Sequence, residues 1–110
     1  MSELGLRDRA GAWLARGERA IVVEVVEARG SVPRGTGTRM LVGAAQTVGT
    51  IGGGHLELKA IAAARDLLAR GDDEPRTQRF PLGPALGQCC GGVVTLAYAS
   101  LDADALALSR

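Results

Sequence analysis

Leu6, Ala10, Trp13 and Leu14 are apolar at spacings of four, three and one, which places them on one face of a helix ending near Gly17. Trp13 is the core anchor of that face. Residues 20–28 (AIVVEVVEA) are rich in β-branched side chains and predict a largely buried strand. Period-two alternation puts Ile21, Val23 and Val25 on one face and Val22, Glu24 and Val26 on the other, with Glu24 and Glu27 as polar interruptions. Residues 38–42 and 47–51 predict two short strands around the hairpin-length turn Gly43-Ala44-Ala45-Gln46. A second helix is expected over residues 55–70, with Ala60, Ile61, Ala64, Leu67 and Leu68 inward and Lys59, Asp66 and Arg70 outward. Gly71 and the Asp72-Asp73-Glu74-Pro75 turn stop it. Residues 77–82 and 93–99 complete the strands.

These elements predict an α/β protein of the α+β kind: one compact domain over residues 1–100, with a mixed sheet of about five strands and two main helices. The 38–51 hairpin excludes an all-parallel sheet. Residues 101–110 read as a tail, or as the start of a further segment.

A chain of 110 residues supports a single core. Its 13 basic and 12 acidic residues leave a charge of +1, so no global field draws it to nucleic acid or membrane. The aromatic set is Trp13, Phe80 and Tyr98, too few for a base-stacking surface. No apolar run reaches the length of a membrane span, and the charged N-terminus lacks a signal core. The expectation is a cytoplasmic protein with its two cysteines reduced.

Glycine changes the picture. Sixteen glycines cluster mainly over residues 30–54 and 83–92, as loops built for close approach. In Val48-Gly49-Thr50-Ile51-Gly52-Gly53-Gly54-His55-Leu56-Glu57 a strand passes through three glycines into a helix. Bare amides at the positive end of a helix suit a phosphate or another anion. The competing reading is a close crossing of two chain segments. Glu57 falls on the inward stripe at the glycine end, as a site residue or as an acid suited to the helix dipole. His55 is a candidate for the same site, or a hydrogen-bonding cap.

Two further loops carry chemistry. Residues 29–40 hold Pro33, three glycines and the arginines Arg29, Arg34 and Arg39. Arginine's rigid fork suits phosphate or carboxylate, so Arg34 and Arg39 are candidate anion clamps, or else solvated surface arginines. In the second loop, Gln88 precedes Cys89 and Cys90, which are followed by Gly91 and Gly92. Adjacent Cα atoms lie about 3.8 Å apart, short of the roughly 4.4–6.8 Å usual for a disulfide. Cys89, Cys90 and His55 are one ligand short of the usual zinc set of about four. Thiolates suit soft metals and sulfur chemistry; the alternative is a small buried hydrophobe.

Gly30-Ser31-Val32-Pro33-Arg34 with Gly37-Thr38-Arg39-Met40, then Gly52-Gly53-Gly54-His55-Leu56-Glu57, then Leu82-Gly83-Pro84 leading to Gln88-Cys89-Cys90-Gly91-Gly92, resembles the XdhC/CoxI family in motif and order. These are accessory proteins of molybdenum hydroxylases such as xanthine dehydrogenase. The resemblance covers roughly residues 20–99. It implies binding of the molybdenum cofactor (molybdopterin), its protection while a cysteine desulfurase partner installs the terminal sulfur, and insertion into the apo-enzyme. It also implies a homo-oligomer; the composition is what argues against a nucleic-acid or membrane partner. Residues Gly52, Gly53, Gly54, His55, Glu57, Arg34, Arg39 and Gln88 are then candidate cofactor contacts, with Cys89 and Cys90 at the molybdenum end. Members of the family usually continue into a second, Rossmann-like domain, so the resemblance leads one to expect such a domain beyond the 110 residues, as a missing segment or supplied separately.

The main expectation is a carrier and chaperone with no catalytic residue. One alternative is a sulfur-transfer enzyme using the cysteine pair, with Glu57 or His55 as acid or base. Another is a phosphate- or nucleotide-binding module that uses the glycine tract and ignores the cysteines.

Overall fold

The computed structural model describes residues 3–30, 35–71, 74–81 and 92–101. The elements are α1 (Glu3–Ala15), β1 (Ala20–Arg29), β2 (Arg39–Gly43), β3 (Thr47–Gly49), α2 (Gly54–Arg70), β4 (Arg76–Pro81) and β5 (Val93–Ser100). The five strands form one sheet in the order β3-β2-β1-β5-β4, and every neighbouring pair is antiparallel. This is the expected α+β fold of five strands and two helices, with a single sense of pairing where a mixture was anticipated. The reason is the path of α2. It connects β3 to β4, which run in the same direction, but at opposite edges of the sheet with three strands between them, so they never pair.

Alternation along the strands sorts the side chains into two cores. Ile21, Val23 and Val25 of β1, Met40 and Val42 of β2, and Val94, Leu96 and Tyr98 of β5 are buried together under Leu56, Ala60, Ala64 and Leu67 of α2. Alanine at Ala60 and Ala64 lets the helix backbone come close to the sheet. On the other face Ala10 and Trp13 of α1 cover Ala20, Leu41, Val48 and Leu101. Trp13 packs so tightly on Gly43 that a Cβ there would lie 3.1 Å from the indole ring. The sheet is thus a middle layer, and helices cover both faces.

Most element ends fall within one residue of the sequence reading, and two features differ from it more. β3 ends at Gly49 rather than Ile51, because Gly49 takes φ +82° and turns the chain out of the extended conformation. β1 carries a bulge between Val25 and Glu27, which shifts its register against β5 and brings Glu27 opposite Thr95. α2 ends as expected, at Gly71 in the left-handed region, with its amide donating back to Leu67 and Leu68.

Strand direction decides where the loops go. The C-terminal ends of β1, β3 and β4 and the N-terminal ends of β2 and β5 lie at one end of the sheet. The β1–β2, β3–α2 and β4–β5 connections therefore all leave from that end.

Candidate functional site

The β3–α2 connection starts from a fixed point: Ile51 is 1% exposed and belongs to the core beneath α2. Beyond it Gly52, Gly53 and Gly54 take φ values of +122°, +78° and +68°. Three consecutive left-handed residues explain three consecutive glycines, since a side chain at any of them is strained. At Gly53 a Cβ would meet nothing within 4 Å, so backbone shape, not a close crossing, requires glycine there.

Glu57, one turn into α2 and half-buried, reaches back over the tract. Its Oε1 accepts the amide N–H of Ile51 at 3.1 Å and that of Gly53 at 3.0 Å. The Thr50 hydroxyl donates to the same oxygen. Thr50 Oγ1 in turn accepts the Gly52 N–H at 3.0 Å. The amides of Gly52 and Gly53, expected to face an external anion, are thus held by partners from within the chain. No side chain caps α2 from Gly53, and the remaining first-turn amides belong to Gly54, His55 and Leu56. His55 is exposed beside them.

Arg39 does not join this cluster. Alternation along β2 places Met40 in the core beneath α2 and Arg39 on the opposite face, where its Nε lies 3.3 Å from Glu24 Oε1 across the β1–β2 pair. The Arg39 side chain is 10% exposed. This pairing also accounts for Glu24 among valines. Arg34, Gln88, Cys89 and Cys90 lie outside the described residues. Their described flanks, Gly30 and Gly35 on one side and Pro81 and Gly92 on the other, stand at the same end of the sheet as the glycine tract. Among the described residues no group of three His, Cys, Asp or Glu side chains could hold a metal ion.

The bulge builds one feature that the alternation pattern did not show. Glu27 accepts the Thr95 hydroxyl at 3.0 Å and Arg29 Nε at 3.1 Å. The Thr95 hydroxyl, then the Arg29 guanidinium, hold the Glu27 carboxyl below its ordinary pKa. A depressed carboxyl contributes stability above its unfolded pKa and loses it as pH falls through the folded value. In Thr95→Val the Glu27 carboxyl is expected to titrate at higher pH, read from its NMR chemical shift; an unmoved titration refutes the assignment to Thr95.

Among the described residues no helix is long and apolar enough to cross a membrane. No curated protein sequence matches the chain. A crystal structure described as a xanthine dehydrogenase from Bacillus halodurans superimposes with a TM-score of 0.78 at 21% identity, over 99% of this chain and 33% of that one. The likeness is one of fold, and the chain spans a third of that protein's length. The model of the XdhC and CoxI family matches residues 13–81, more than half of the chain, from Trp13 through the arginine loop and the glycine tract to the end of β4. The chain belongs to the XdhC and CoxI family.

Proposed function

We propose that this chain acts in molybdoenzyme maturation by binding the molybdenum cofactor, supporting its sulfuration, and passing it to a xanthine dehydrogenase-type apo-enzyme. Family membership carries the reading. The fold supports it by starting all three glycine-rich connections from one end of the sheet. The molybdopterin is cargo, and the chain holds and presents it without turnover. Its phosphate is assigned to the first-turn amides of α2 at Gly54 and His55, where no side chain caps the helix and the dipole favours an anion. Arg34 is the arginine assigned to the same phosphate. Cys89 and Cys90 are assigned to the molybdenum and sulfur end, as soft ligands for a soft metal centre, with Gln88 beside them. Arg39, turned to the opposite face and paired with Glu24, is assigned to the shape of the sheet end rather than to the phosphate. A cysteine desulfurase, the apo-enzyme and a second copy of the chain are the proposed partners, and the cytoplasm the proposed location.

The test is direct. Purified protein is incubated with molybdopterin, freed of unbound ligand, and its retained pterin quantified by fluorescence after oxidation. Near-stoichiometric retention is expected, falling to background when Cys89 and Cys90 are both changed to alanine. Retention unaffected by the double change would move the metal end elsewhere and favour a phosphate-binding module. No retention by the wild-type chain would remove cofactor binding from this domain.

A further inference from the structure

Glycine populates both signs of φ about equally, so three in succession have no intrinsic reason to settle on one path. Something outside the tract must select it. The Glu57 carboxylate spans the tract, with the amides of Ile51 and Gly53 and the hydroxyl of Thr50 converging on its Oε1. Both ends of this bridge are anchored. Ile51 and Leu56, the residue before Glu57, are each 1% exposed in the core beneath α2.

We infer that Glu57 is a positioning residue: its carboxylate selects the left-handed path of Gly52 to Gly54 and thereby shapes the cofactor site without touching the cofactor. The last part rests on the cofactor-binding reading; the first does not. An ionised carboxylate is an acceptor only and offers no proton to a phosphate. Glu57 Oε1 is already engaged by three donors from the chain, so its work is internal. The bridge holds the backbone amide of the N-cap residue Gly53, as the acid of a capping box does, and takes none of the first-turn amides of α2 as a donor.

The experiment compares amide hydrogen exchange by NMR in the 110-residue wild-type chain, Glu57→Gln and Glu57→Ala. Glutamine keeps the acceptor oxygen and is expected to keep Ile51 and Gly53 protected. In Glu57→Ala these two amides are expected to exchange about tenfold faster or more, while Val23 and Leu96 in the centre of the sheet keep their protection. Unchanged protection at Ile51 and Gly53 in Glu57→Ala overturns the inference. Thr50→Val provides a second reading should the alanine variant not fold: the Gly52 amide loses its acceptor and is expected to exchange faster, and an unchanged rate counts against the bridge. Pterin retention is measured on the same samples. Retention lost in Glu57→Ala and restored in Glu57→Gln matches positioning through the acceptor oxygen. Absent retention in the wild-type chain sinks the cofactor reading while the exchange result still decides the role of Glu57.

Discussion

Replacing Trp13 with alanine is expected to destabilise the domain by about 3–5 kcal/mol, the range for truncating a buried aromatic. Trp13 is 3% exposed and is the largest side chain between α1 and the sheet. Its buried partners in that smaller core are Ala10, Ala20, Leu41, Val48 and Leu101, with Leu14 and Val22 packed beside them, all much smaller than the indole they would have to replace. Gly43 offers no side chain to fill it either, since its surface is shaped to the ring. Against a total stability of roughly 5–15 kcal/mol for a domain this size, the loss is a large fraction. Urea or thermal unfolding measures it, and the midpoint should fall by roughly 4 °C or more per kcal/mol. An unmoved midpoint would show that α1 lies outside the cooperative unit and that the sheet stands on the α2 core alone.

Gly53→Ala is expected to cost about 1–3 kcal/mol for a different reason. Gly53 holds φ +78° and ψ −169°, a region that residues with a Cβ scarcely enter. Since nothing lies within 4 Å of the added methyl, the penalty is conformational and no repacking relieves it. The chain escapes the strain by moving the tract, which breaks the Gly53 N–H bond to Glu57 and alters the start of α2. The variant should therefore lose stability and, on the cofactor-binding reading, pterin retention as well. Gly11→Ala in α1 is the control. Its methyl also meets open space, but at a helical position, where alanine is favoured by about 0.5–1 kcal/mol. Equal stability for Gly53→Ala and wild type would mean that the tract is free to adopt other paths.

Much of the fold was legible because local pattern and global burial agree here. The alternation of Ile21, Val23 and Val25 and the stripe of Ala60, Ala64 and Leu67 each name the face that is buried. Trp13 was readable as an anchor for the same reason. The early end of β3 at Gly49 was not, because a glycine's sign of φ leaves no mark in its identity. The bulge at Val26 was equally hidden, since an extra residue in one strand shows only against its partner. Glu57 stood out by its place on the apolar stripe, yet whether its carboxylate met a ligand or its own backbone depended on the turn before it.

Residue order by itself determined the helices, the strand faces, the glycine requirement before α2 and the family motifs, because each depends on neighbours within a few positions. Tertiary structure alone decided that β3 and β4 occupy opposite edges, that the glycine-rich connections start from one end, and that Arg39 faces Glu24 across the sheet from α2. It also turned the amides of Ile51 and Gly53 toward Glu57 and that of Gly52 toward Thr50. Those outcomes are set by which strands pair and by the sign of a few backbone angles, quantities fixed only when distant segments bury one another's surfaces.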